Sequence, residues 1–178
     1  MQVRLATPAD LPALRELIPA SVRALSPGYY TPAQIESSIR HVFGPDTQLV
    51  ADGTYFVVVA EQRIVGCGGW SRRQTLYGGD QMKTEEDSLV DPAVEPARVR
   101  AFFVHPEWAR RGVGSCILNA CIDAARNAGF RRLELVATLP GEPLYRRFGF
   151  EAEERFDAPM ADGTTLPVVR MTRTVPDE

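Results

Sequence analysis

The sequence predicts a mixed α/β domain built around one twisted sheet, and three observations carry that prediction. Short β-branched or aromatic runs alternate with segments of helical periodicity, in the order βα α ββ β α β α ββ. The length, 178 residues, suits one domain with a substantial core. The composition, 44% hydrophobic and 24% charged, is ordinary for a globular chain.

The elements follow in order. VRLATPADLPALRELIPA, residues 3–20, reads as a strand and then a helix. Thr7 is the candidate N-cap, Pro8 suits the first helical position, and Asp10 favours a helix start. Leu11, Leu14, Leu17 and Ile18 then fall on one helical face. Thr31-Pro32 opens a second helix, which Gly44-Pro45 stops. TYFVVVAEQRIVGCGGWS, residues 54–71, predicts two antiparallel strands with a turn near Gln62. Gly66, Gly68 and Gly69 weaken the second of these and point to a bend or a close backbone neighbour.

Residues 74–96 lack periodicity and form a variable loop. The loop carries Asp80, Glu85, Glu86, Asp87, Asp91 and Glu95 against Lys83. It reads as a solvated surface or, more sharply, as an acidic rim attracting a cationic substrate. ARVRAFFV, residues 97–104, is a central strand ended by His105-Pro106. A helix over 112–128 follows, with Val113, Cys116, Ile117, Ala120, Cys121 and Ala124 as its buried face and Gly129 closing it. RRLELVAT is a further strand, GEPLYRRFGF a short helix ended by Gly149, and EAEERF with TLPVVRMTRT a final hairpin.

Composition excludes several classes. A net charge of −3 and a pI near 5.5 argue against general nucleic-acid binding. No apolar run approaches the ~20 residues of a membrane span. The N-terminal MQVRLATPAD lacks a signal peptide's apolar core. Cys67, Cys116 and Cys121 form no CxxC pair and are odd in number, which favours reduced thiols in a cytoplasm. His41 and His105 are too few and too separated for a ligand cluster, so no metal is expected.

HPEWARRGVGSCIL, residues 105–118, carries the chemistry. Two arginines and two glycines stand just before a helix, where free N–H groups and partial positive charge attract an anion such as phosphate. It is not a Walker loop, because Gly114 is followed by Ser115 and Cys116 without lysine. It is not a dinucleotide fingerprint either, because the third glycine is replaced by Ile117 or Leu118.

AFFVHPEWARRGVGSCIL followed by AGFRRLELVATLPGEPLYRRFGF resembles the GNAT N-acetyltransferase superfamily over residues 97–150. The resemblance implies a single domain over 1–178, with a mostly antiparallel sheet flanked by helices. The family's R/Q-x-x-G-x-G/A loop, which cradles the pyrophosphate of acetyl-CoA, falls on Ala109, Arg110, Arg111, Gly112, Val113 and Gly114. Ala109 departs from the usual Arg or Gln, a change that matters little where backbone N–H groups do the binding. By resemblance, the amides of Arg111 through Ser115 hold the pyrophosphate, with Arg110 or Arg111 adding a charge-assisted bond. Phe103 and Val104 present main-chain groups to the pantetheine arm, and the N–H near Val104 supplies the oxyanion donor. The family's second signature matches Leu144, Tyr145, Gly149 and Phe150, and makes Tyr145 the acid that protonates the departing thiolate. Thr138 stands where many relatives carry an asparagine that bonds the cofactor or its surroundings.

The general base is not identified: 97–104 contains no glutamate, and a water relay or a loop carboxylate such as Glu95 or Asp91 are alternatives. The expected activity is direct acetyl transfer from acetyl-CoA to a primary amine of a small molecule or peptide. The rival expectation is a catalytically silent acyl-CoA-binding sensor domain, and a succinyl or longer acyl donor is a further alternative. Many family members pair, so the resemblance also admits a homodimer.

Overall fold

The computed structural model describes residues 1–176. Seven strands form one sheet: β1 (Gln2–Leu5), β2 (Tyr55–Ala60), β3 (Arg63–Ser71), β4 (Ala97–Val104), β5 (Arg132–Thr138), β6 (Glu151–Pro159) and β7 (Thr165–Thr174). Their spatial order is β1-β2-β3-β4-β5-β7-β6, and each neighbouring pair is antiparallel except β4 with β5. Five helices accompany them: α1 (Leu11–Leu25), α2 (Pro32–His41), α3 (Thr47–Ala51), α4 (Val113–Asn127) and α5 (Glu142–Arg147). The mixed α/β class and the mostly antiparallel sheet stand as expected.

Local chemistry explains the boundaries. A short 3-10 turn over Pro8–Asp10 precedes α1, so the expected helix begins at Leu11 rather than at Pro8. Asp10 closes that turn by accepting the Thr7 N–H at 2.8 Å and both arms of Arg4 at 2.8 and 2.9 Å. Thr31 caps α2 by accepting the Gln34 N–H, while the Gln34 side chain accepts the Thr31 N–H. The β2–β3 turn places Glu61 and Gln62 at φ of 50° and 63°, the left-handed pair of a type I′ hairpin.

Two apolar clusters cover the two faces of the sheet. One gathers Val58, Val65, Trp70, Val99, Leu133 and Leu135 beneath α4. The other gathers Tyr55, Val57, Cys67, Leu166 and Val168 beneath α1 and α2. On α4 the buried stripe is Val113, Ile117, Leu118, Cys121, Ile122 and Ala125. The expected stripe is therefore rotated by about one residue: the bulky Leu118 and Ile122 take the interior, and the small Cys116, Ala120 and Ala124 fall on its margin. The glycines of β3 answer to close neighbours. A Cβ on Gly66 would come within 2.3 Å of Val113, and one on Gly68 within 2.6 Å of Phe102.

The sequence reading missed α3. Asp46, directly after Gly44-Pro45, caps it by accepting the N–H groups of Gln48 and Leu49 at 3.1 and 3.2 Å. The final hairpin also runs longer than EAEERF, since β6 continues to Pro159 opposite Thr165.

Candidate active site

The site begins with a split in the sheet. β4 and β5 are in register at Ala97–Leu133 and Arg98–Glu134, and beyond those pairs they diverge. Residues 97–100 of β4 are buried and residues 101–104 become half-buried as the strand leaves its neighbour. The bend has a local cause. Between the pairs Gly69–Arg100 and Cys67–Phe103, two β4 residues, Ala101 and Phe102, face the single Gly68. That is a β-bulge, and Ala101 occupies it with φ of 59°.

The bulge sets where the following main chain points. The His105 N–H donates to Val65 O at 2.8 Å, so His105 faces β3 and Val104 faces the split. The Val104 N–H there donates to Ser21 Oγ on α1 at 3.2 Å. Phe103 lies in register with Cys67 on β3. Ser21 was not anticipated from sequence, because nothing in α1's periodicity separates it from other small buried residues.

At the mouth of the split stands the start of α4. Its first helical bond runs from the Cys116 N–H to Gly112 O at 3.0 Å, leaving the N–H groups of Val113, Gly114 and Ser115 ahead of the ladder. The turn into the helix is left-handed twice, at Arg110 with φ of 63° and at Gly112 with φ of 85°. A Cβ on Gly112 would meet nothing within 4 Å, whereas one on Gly114 would come within 2.9 Å of Leu144 Cδ2. The two glycines therefore have different reasons: backbone conformation at Gly112 and contact with α5 at Gly114.

The basic residues also divide. The Arg111 guanidinium lies 4.2 Å from the Trp108 ring centroid and donates to Glu107 O at 3.3 Å. Arg110 is exposed, and no ion-pair partner is found for it among the described residues. Arg147, on α5, donates to Ser115 Oγ at 3.3 Å and adds a third guanidinium beside the loop. Sequence reasoning passed over Arg147, which looks like one of many surface arginines until α5 folds against α4.

A cleft opens in the split. Tyr145 of α5 lines it, with its ring edge-on to Phe102 and Phe150 at 6.0 and 5.9 Å. Burial pushes the Tyr145 hydroxyl well above the ordinary phenol range, so it remains a proton donor. Thr138 lines the same cleft, and its side chain accepts the Gly141 N–H at 3.3 Å. Opposite Tyr145 the walls are Phe43 and Gly44, ahead of α3, and Leu76 through Gly79 of the variable loop.

The loop's carboxylates are mostly engaged in structure. Asp87 is buried and accepts the Thr75 N–H at 2.7 Å, and Asp80 accepts the Thr47 N–H at 3.0 Å. Asp91 accepts the Ala93 N–H within its own turn, and Glu95 accepts from Gln74 and lies 3.7 Å from Arg98. Neither Asp91 nor Glu95 lines the cleft. The acidic rim is thus largely spent on holding the loop together.

Free N–H groups at a helix start beside a split sheet, with a buried tyrosine lining the cleft, suit transfer of an acyl group from a phosphate-bearing thioester. A family model described as the acetyltransferase (GNAT) domain matches residues 51–152. The chain belongs to the GNAT acetyltransferase family. The family is one of acetyltransferases that draw their acyl group from acetyl-CoA. An uncharacterized N-acetyltransferase of Methanocaldococcus jannaschii is 33% identical over 63 residues, 34% of this chain but only 28% of that relative's length. The GCN5-related N-acetyltransferase structure from Rhodopseudomonas palustris superposes with a TM-score of 0.72 at 17% identity, covering 98% of this chain and 95% of that one. The PaiA N-acetyltransferase of Thermoplasma acidophilum, solved in complex with coenzyme A, gives 0.65 at 15% identity, covering 97% and 98%. These likenesses extend the GNAT fold over nearly all of the described residues, including the early helices that the family model leaves out.

Proposed function

We propose that this GNAT protein transfers the acetyl group of acetyl-CoA directly to the primary amine of a small molecule or peptide. The observation that carries the reading is that the α4 start, at Gly114, lies against Leu144 and near Val104, beside the split between β4 and β5 that Tyr145 lines. In this reading the N–H groups of Arg111 through Ser115 grip the diphosphate, aided by the helix dipole and by Arg110, Arg111 and Arg147. The left-handed turn at Gly112 and the open space over it suit close approach of phosphate oxygens. The pantetheine arm then runs along the β4 edge at Val104, beside Phe103, whose own main chain is turned to Cys67 on β3.

For the reaction, the neutral amine attacks the thioester carbon and the carbon–sulfur bond breaks. The Val104 N–H is the oxyanion donor in this reading, and Ser21 Oγ holds it until the carbonyl oxygen takes its place. The Tyr145 hydroxyl protonates the departing thiolate, and the proton lost by the amine leaves to solvent. No carboxylate lines the cleft among the described residues, so a water relay through its open mouth is the base.

The same lining bears on the acceptor. Phe43, Leu76, Tyr77 and Phe103 make an aromatic and aliphatic approach, and Arg100 is its one charged residue. This supports an amine on an apolar body over a polycation, which would need carboxylates along its path. The test is calorimetry with acetyl-CoA, then release of free thiol with arylalkylamines, polyamines, aminoglycosides and peptide N-termini. Thiol release fastest with an apolar amine is expected. Binding without turnover on any amine would make the chain an acyl-CoA sensor instead, and fastest release with a polyamine would overturn the acceptor assignment alone.

A further inference from the structure

Ala101 is the residue on which the split in the sheet turns. It sits in the bulge with φ of 59°, a left-handed conformation that a residue carrying Cβ adopts only when its surroundings hold it there. Its carbonyl falls out of register with β3 and takes its donor elsewhere. That donor comes from two strands away. The Tyr55 hydroxyl of β2 donates to Ala101 O at 3.2 Å, and the Cys67 thiol is a longer, weaker second donor to the same oxygen at 3.8 Å.

The route from Tyr55 to Ala101 is built into β3. Tyr55 is in register with Gly69, and a Cβ on Gly69 would come within 2.9 Å of the Tyr55 ring. The missing side chain lets the ring lie across β3 and present its hydroxyl to β4. Tyr55 is fully buried, so no solvent competes for the bond. Burial, with Cys67 beside it, also holds the hydroxyl well above the ordinary phenol range, which keeps it a donor at any working pH.

We propose that Tyr55 is a positioning residue for acetyl transfer: its hydroxyl pins the Ala101 carbonyl and thereby fixes the bulge that turns the Val104 main chain toward the thioester. The inference rests on the reading of the β4–β5 split as the transfer site. Loss of the bulge moves the pairing of 102–104 by one residue, and a one-residue slip reverses which face and which edge each group serves. Tyr55 therefore acts at a distance, through Ala101, on the geometry of the oxyanion donor.

The experiment is a kinetic comparison of wild type, Tyr55→Phe, and Tyr55→Phe combined with Ala101→Gly, using acetyl-CoA and the best amine of the panel. Removing the hydroxyl is expected to lower kcat about tenfold, a modest loss of transition-state stabilisation. Acetyl-CoA affinity should stay within about threefold, because the α4 loop is untouched. Glycine adopts the left-handed conformation without penalty, so Ala101→Gly should restore most of kcat in the Tyr55→Phe background. An unchanged kcat in Tyr55→Phe overturns the proposal. So does a fall that Ala101→Gly leaves in place, since that marks loss of ordinary packing. Should Tyr55→Phe alone fail to fold, the double variant decides: near-wild-type kcat supports the proposal, and a persisting tenfold loss overturns it. An inactive wild type overturns the acetyl-transfer reading and this inference with it, whereas an active wild type with an unaffected Tyr55→Phe overturns this inference alone.

Discussion

The Arg100 guanidinium lies 2.7 Å from the Asp46 carboxylate, and both side chains are closed to solvent. Asp46 also takes Lys83 at 2.6 Å and caps α3, while Arg100 donates to Gly78 O and lies 4.0 Å from Asp87. One buried cluster thus ties β4, just before the bulge, to α3 and to the variable loop that walls the cleft. Asp46→Asn keeps the capping oxygen but leaves Arg100 and Lys83 without their shared anion. A buried charge that loses its close partner in this way costs about 3–5 kcal/mol. Thermal unfolding should begin roughly 10 °C lower. A change within a degree or two would mean that the cluster contributes little.

Tyr145→Phe removes a hydroxyl that has no hydrogen-bond partner among the described residues, and leaves the ring contacts with Phe102 and Phe150 in place. Stability should therefore change little. If the hydroxyl is the acid, kcat falls by roughly 10²-fold with acetyl-CoA affinity nearly unchanged, as expected for loss of general-acid catalysis. The raised pKa adds a second readout: with the phenol protonated beyond its ordinary range, Tyr145 should impose no alkaline fall in rate below about pH 10. Steady-state kinetics across pH, with the fluorescence-monitored acetyl-CoA titration beside them, check both.

The loop before α4 was readable from residues alone because its chemistry is local: glycines, arginines and a helix start lie within ten positions. What decides the rest is not local. Ala101 gives no sequence sign of its left-handed backbone, since an alanine inside ARVRAFFV reads as ordinary strand. The acidic loop looked like a surface rim because nothing in residues 74–96 reveals that Arg73 and Arg100, outside the loop, draw Asp87 inward. Gly114 likewise gives no sequence sign that Leu144, thirty positions on, packs against it.

That distinction between Gly112 and Gly114 can be measured. Gly112→Ala meets no neighbour but must hold φ near 85°, which costs about 1 kcal/mol for a residue with Cβ. If the turn carries the diphosphate amides, relaxing it should weaken acetyl-CoA about tenfold. Gly114→Ala presses on Leu144 Cδ2, the end of a flexible side chain, so it should disturb the α4–α5 contact and shift affinity far less. Calorimetric titration of both variants separates the cases, and equal affinities would deny Gly112 its place in the cradle.

Asp10 offers a prediction at the other end of the sheet, where β1 meets α1. Hydrogen bonds from Arg4 hold its carboxyl down at about 2, with partial burial opposing and the Thr7 N–H assisting. A carboxyl depressed on folding stabilises the native state at every pH above its unfolded value, and the gain disappears as pH falls through the folded value. From an ordinary value near ~4 to about 2, that amounts to about 2 kcal/mol at neutral pH. Asp10→Asn should therefore lower the urea midpoint clearly at pH 7, and the gap from wild type should narrow steadily between pH 4 and pH 2. A gap of the same size at pH 7 and pH 2 would show that Asp10 works through the Thr7 turn geometry rather than through its charge on Arg4.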